Sequence, residues 1–190
     1  MGSLFAEGVN WFVKMMEKSC SASDYVEGSH KALQIGKATK LSIKSNSVDI
    51  KVLFIEDNSS YSVVSHVNVP ADAVKVIVAT TNSSAEITID EETEKLKSLN
   101  AAVIFRVNSA IETLSIESKT GDIVLNNCRA KEVSIISAAG DIMVSDHIVP
   151  CPTEAIAENG DVTRVNFASK PSENKMVCKT TDGDIVLSSR

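Results

Sequence analysis

The chain has 190 residues and four cysteines, enough length for one domain to bury a core without disulfides or metals. Its formal charge of −6 at pH 7, with no lysine- or arginine-rich stripe, argues against nucleic acid as a partner. Aromatic residues are only 4%, while valine, isoleucine, serine and threonine abound, a mix suited to thin stacked β structure filled by aliphatic ladders.

Residues 1–19 stand apart from the rest. In 3–18, Leu4, Phe5, Val9, Trp11, Phe12, Met15 and Met16 recur at helical spacing, with Glu7, Asn10, Lys14 and Glu17 on the other side and Ser3 at the N-cap position. The spacing predicts an amphipathic helix that caps the first open coil of the β structure to come. A membrane-surface helix is the alternative, although Lys14 alone faces two glutamates, weak for anionic lipid. The segment lacks a basic n-region and a long apolar run, and Ala6 breaks the myristoylation pattern. The expectation is a cytoplasmic or membrane-peripheral protein without a signal peptide. Residues 20–40 read as a polar connection.

From Leu41 onward a β pattern recurs around an acidic residue, and 41–190 is read as one repeat domain. Around Asp122, Leu114 and Ile116 precede a Gly121 corner, and Ile123 and Leu125 follow it. The same register surrounds Asp141 (Val133, Ile135, Gly140, Ile142, Val144) and Asp184 (Met176, Cys178, Gly183, Ile185, Leu187). Asp49 repeats it with Val48 in place of the glycine; Asp161 with Gly160, and Glu86, give weaker copies. Alternating apolar residues on both sides of a turn place one face of each strand inward. The last four acidic positions lie 19, 20 and 23 residues apart, and the earlier gaps of 37 and 36 are near twice that. Missing beats are expected near 67 and 104, where residues 62–69 and 101–107 are β-branched and apolar. A repeat of roughly 20 residues predicts an all-β, right-handed solenoid whose units bury their faces only by stacking. The corners at Gly121, Gly140, Gly160 and Gly183 suit a sharp turn at positive φ. An antiparallel sandwich remains the competing fold, with Asn159-Gly160 and Asp182-Gly183 as its hairpin tips.

Three stretches interrupt the pattern. Charged residues 90–100 are expected to loop out, 146–154 with two of the four prolines to lie at a bulged corner or edge, and 166–174 to form an external loop.

Little catalytic chemistry is legible. Cys20, Cys128, Cys151 and Cys178 have no CxxC spacing, and Cys178 falls at an inward position. His30, His66 and His147 are far apart in the sequence, which argues against a zinc or Cys/His site. Stacking would bring Asp122, Asp141, Asp161 and Asp184 to one corner, ~5 Å from coil to coil. Stacked carboxylates repel by ~1 kcal/mol or more per pair, so each is expected to accept backbone N–H bonds at its own turn. Calcium bridging is the alternative, without its nonapeptide signature. A carbohydrate-cleaving site would want a basic residue beside the carboxylates, and Arg164 is the single candidate. No cofactor or metal is expected.

The recurring units SKTGDIVL, SAAGDIMV and TTDGDIVL resemble the putative-adhesin domain family of bacterial β-solenoid proteins, a family of unknown function. The resemblance covers 114–187 and more loosely 41–89, and its motif specifies corners and core. It implies a β-coil and a surface-associated binding or scaffolding role, with no catalytic residue to carry over. The reading is therefore a non-enzymatic scaffold or binding module for a protein or polysaccharide ligand. A carbohydrate-active β-helix enzyme and a membrane-peripheral module held by 3–18 are the alternatives. The chain stops three residues after Leu187 with nothing to cover the last coil. Self-association through that C-terminal rung is therefore expected.

Overall fold

A computed structural model describes residues 31–34, 38–55, 61–67, 73–96, 101–108, 111–146, 152–165 and 173–189. The helix expected over 3–18 lies outside them, as do Cys20, Cys151, His30, His147 and most of the 166–174 loop. The chain runs through β1 (Lys31–Gln34), β2 (Lys40–Lys44), β3 (Asp49–Ile55), β4 (Tyr61–Val67), β5 (Val74–Thr80) and β6 (Ser84–Glu91). It continues through α1 (Thr93–Leu96), β7 (Ala102–Asn108), β8 (Thr113–Ser118), β9 (Ile123–Asn126), β10 (Glu132–Ala139) and β11 (Ile142–Ser145). It ends with β12 (Thr153–Ala157), β13 (Val162–Val165), β14 (Lys175–Asp182) and β15 (Ile185–Ser188). The described residues are thus nearly all β. The connection expected over 20–40 already contains β1.

The strands form two sheets. Sheet A runs β1-β4-β7-β3-β9-β11-β15-β13, and sheet B runs β12-β14-β10-β8-β2-β6-β5. Each rung consists of a sheet B strand, a corner and a sheet A strand. Pairing between rungs is parallel throughout, as β10 with β8 and β11 with β9. Antiparallel pairing is confined to β1 with β4, β4 with β7, and β5 with β6. That pattern is solenoid-like and does not fit the antiparallel sandwich.

The register explains why alternation was the dominant signal. Ile43, Ile116, Ile135 and Cys178 stack in sheet B, and Ile50, Ile123, Ile142 and Ile185 stack in sheet A. All are fully buried in one core between the sheets. Polar residues such as Ser42, Ser115 and Ser134 take the alternate, outward positions of sheet B.

Two sequence expectations are corrected. Glu86 is not a corner: it lies inside β6 opposite Ser42 and pairs with Lys44 at 3.1 Å. The residue opposite Asp49 is Ala102, so the beat expected near 104 is real. Residues 62–69 do not supply the other, because β4 runs antiparallel. An acidic residue between apolar ones marks an outward strand position as well as a corner, and the hairpin of β5 and β6 imitated a corner.

The second correction concerns the end of the stack. Rungs lie in the spatial order 84–108, 40–55, 113–126, 132–145, 175–188, 153–165. The C-terminal rung is therefore internal: β14 has β10 and β12 as neighbours, and β15 has β11 and β13. Among the described residues, the edge strands at this end are β12 and β13. Pro152 stands at the entry to β12, in keeping with a proline beside an edge strand.

Candidate functional site

The corners between β2 and β3, β8 and β9, β10 and β11, β14 and β15, and β12 and β13 stack into one column. Asp49, Asp122, Asp141, Asp184 and Asp161 follow one another in it. The backbone N–H of Asp122 donates to Oδ1 of Asp49 at 3.0 Å, and that of Asp141 to Oδ1 of Asp122 at 2.9 Å. Asp184 donates likewise to Oδ1 of Asp141 at 2.8 Å, and Asp161 to Oδ1 of Asp184 at 2.9 Å. A return bond closes each step: Ile50, Ile123, Ile142 and Ile185 donate their N–H to the carbonyls of Asp122, Asp141, Asp184 and Asp161, each at 2.8 Å.

The carboxylates thus accept from the next rung, which corrects the expectation of bonds within their own turns. At each corner the carboxylate, not a main-chain carbonyl, accepts the N–H of the next rung's aspartate, so that donor stays paired. Charge-assisted bonds of this kind work against the repulsion between stacked carboxylates. Burial pushes the Asp49 carboxyl up to about 6, and the neighbouring Asp122 carboxylate adds to the effect. Burial also raises Asp122, against the N–H of Asp141 and the charge of Lys51. Lys51 itself is lowered by burial.

The glycines beside the aspartates are there for contact. A Cβ on Gly121 would stand 2.2 Å from the carbonyl oxygen of Val48, and one on Gly140 would stand 2.5 Å from that of Gly121. Gly183 meets the carbonyl of Gly140 at 2.5 Å, and Gly160 that of Gly183 at 2.0 Å. Each corner presses on the carbonyl of the rung before it, leaving no room for a side chain. The expected positive φ holds at Gly183 alone, at 149°. Val48 is the first member of this series, and beyond it lies the differently built 84–108 rung, so a side chain fits there. The corners on the opposite side of the stack use left-handed Asn127 and Asp146, both at φ 53°.

Glu91 was missed by sequence reasoning. Its Oε1 accepts from the Ser45 hydroxyl and, at 2.9 Å, from the Asn46 N–H. Its Oε2 accepts from the Ser47 N–H at 2.7 Å, the Ser47 hydroxyl at 2.6 Å and the Val48 N–H at 3.2 Å. Burial pushes this carboxyl up, but the hydroxyl and N–H bonds outweigh it and hold the group below the usual range. Glu91 caps the Asp49 corner where the glycine series begins. The stretch 90–100 was expected only to loop out, and nothing in its charge marks Glu91 from Glu92 or Glu94.

The remaining candidates sit apart. Cys128 and Cys178 are buried thiols in the core. Arg164 lies in β13 opposite Leu187, exposed at the end of the stack. Among the described residues no group of three or more His, Cys, Asp or Glu could hold a metal ion. No helix there is long and apolar enough to cross a membrane. What the column can do, chemically, is hold rungs together.

Comparison with known proteins agrees with the architecture. The sequence model described as Toastrack DUF4097 matches residues 29–190. No curated protein matches the chain. A solved structure from Clostridium sporogenes, described as a "putative cell adhesion protein", is similar over 86% of this chain and 100% of its own, with a TM-score of 0.58. Its identity is 11%, so the likeness is one of fold.

Proposed function

The chain belongs to the Toastrack DUF4097 family, and we propose that it is a non-enzymatic binding and scaffolding module that works through its rung faces and its open end. The observation that carries this reading is the commitment of the corner carboxylates: Asp49, Asp122, Asp141 and Asp184 each accept a backbone N–H from the next rung. A general acid or base needs a carboxyl aimed at a substrate, and these are aimed along the stack. The cell-adhesion description of the Clostridium sporogenes protein is in keeping with a binding role. Turnover of any polysaccharide, abolished by Asp122→Asn or Asp141→Asn in protein that remains folded, would favour the enzyme instead.

The open end belongs to β12 and β13, and its occupant is a second copy of this chain. Both sheets end on this rung, so two copies related by a two-fold axis across the sheets can pair edge to edge in both sheets at once. Ile156 and Val165 are exposed there, and Val162 is exposed although it sits at a core register opposite Ile185. Light scattering should find a dimer that Val162→Lys and Ile156→Lys reduce to a monomer. A monomeric parent at high concentration ends this part of the reading.

A further inference from the structure

We propose that Asn159 is a modification site: it deamidates without an enzyme, and the charge it acquires loosens the 153–165 rung. The chemistry starts from what the corners require. The residue after each of Thr120, Ala139, Asp182 and Asn159 is held to glycine, because a Cβ there would stand 2.0 to 2.5 Å from a carbonyl oxygen of the neighbouring rung. What precedes the glycine is under no such constraint. Asn159-Gly160 is the chain's one Asn-Gly pair, and Asp182-Gly183 its one Asp-Gly pair.

Asparagine before glycine is open to attack on its own side chain, since glycine has no Cβ to hinder its nitrogen. The nitrogen of Gly160 bonds to Cγ of Asn159, the bond from Cγ to Nδ2 breaks, and ammonia leaves with the peptide proton. Water then opens the cyclic imide at either carbonyl. The product is aspartate, or an isoaspartate whose main chain runs through the side-chain carbon.

The structure leaves this nucleophile free. Gly121 donates its N–H to Oγ of Ser118 at 3.0 Å, and Gly140 to the carbonyl of Asp182 at 2.9 Å. The N–H of Gly160 has no partner among the described residues. Asn159 and Gly160 are exposed and lie between β12 and β13, outside both strands. Asp182 acts as a brake. Nδ2 of Asn159 donates to its Oδ1 at 2.9 Å, which holds the amide against the neighbouring rung. Its negative charge also opposes loss of the Gly160 proton.

Deamidation removes that donor. The new carboxylate faces Asp182, with Glu158, Asp161 and Asp184 exposed around the same corner. Like charges opposed across strands destabilise the pairing. The isoaspartate form also lengthens the main chain just before Asp161, which is tied to the next rung twice. Its N–H donates to Oδ1 of Asp184 at 2.9 Å, and its carbonyl accepts from Ile185 at 2.8 Å. β12 and β13 are edge strands among those described, so they can part from β14 and β15 without disturbing the other rungs. The change is local and runs one way.

Peptide mapping of the intact protein aged at mildly alkaline pH tests the site. Asn159 should convert before Asn46, Asn82, Asn126 and Asn127, with isoaspartate appearing at that position. Asp182→Ala should speed the conversion severalfold, and Asn159→Gln, whose longer side chain closes the ring far more slowly, should stop it. Freshly made Asn159→Asp should raise amide hydrogen exchange over 153–165 severalfold and leave 113–126 unchanged. Another asparagine converting ahead of Asn159 in folded protein overturns the site. Unchanged exchange over 153–165, in both Asn159→Asp and the aged protein, overturns the loosening.

Discussion

The backbone N–H of Asp141 donates to Oδ1 of Asp122 at 2.9 Å, across a rung boundary and nineteen residues back along the chain. An aspartate in this protein is therefore defined by its neighbour in the stack. The same relation makes the glycine before it a contact residue, because the corner it joins must close on the corner before.

Gly140→Ala should lower stability by about 1–3 kcal/mol, the range for forcing extra atoms into a packed site. Its Cβ would fall 2.5 Å from the Gly121 carbonyl, with the Gly183 corner pressing from the other side. Gly160→Ala has the closer contact at 2.0 Å but belongs to the end rung, which can shift outward. Urea unfolding should rank Gly140→Ala as the more damaging. The reverse order would remove the close-approach argument.

Asp49 should destabilise the fold at neutral pH. Its folded value of about 6 lies above the unfolded 3.8, so between these values the folded state binds more proton. Stability from this group is present in acid and falls as pH rises through 4 to 6. Asp49→Asn keeps an oxygen to accept the Asp122 N–H and removes the charge. Allowing for solvent screening, the variant should gain about 1–2 kcal/mol at pH 7 and nearly nothing below pH 4. Thermal melts of both proteins across that range test the sign.

Glu91 should behave in the opposite sense. Its carboxyl is held below the usual range, so its contribution is present above pH 4.5 and lost as pH falls through the folded value. Glu91→Ala leaves the donors of Ser45, Asn46, Ser47 and Val48 without their acceptor and should cost about 2–3 kcal/mol at pH 7. Glu92→Ala next to it, exposed and paired with the exposed Lys95, should stay within about 0.5 kcal/mol. Equal melting temperatures for the two variants would dismiss the capping role.

Calcium should leave the melting temperature nearly unchanged. A ion that binds only the folded state must raise it, and the column's Oδ1 atoms already accept backbone N–H groups. A rise of many degrees at millimolar calcium would show that the carboxylates hold the ion instead.

The parts of this architecture that were legible are those whose physics is local. Alternation around Asp122, Asp141 and Asp184 gave the strands, and the neighbouring glycines gave the corners. Stacking order was hidden, because Ile142 finds equally good aliphatic neighbours in Ile123 or Ile185 and the pattern does not say which rung lies where. Glu86 imitated a corner for the same reason: an acidic residue between apolar ones is also what an outward strand position looks like. Glu91 was invisible because its partners, Ser45 to Val48, lie more than forty residues away.

The insertion of rung 175–188 between 132–145 and 153–165 bears on how the protein is made. A simple solenoid can grow from one end as it emerges, each new repeat adding to the last. Here, among the described strands, β12 and β13 pair with β14 and β15, so residues 153–165 leave the ribosome before the strands they join. They must wait for β14 and β15, which complete both neighbours at once. Removing residues 175–190 should therefore cost the chain two rungs rather than one. Non-local closure of this kind slows folding and leaves residues 153–165 open to misassembly until 175–188 has been made.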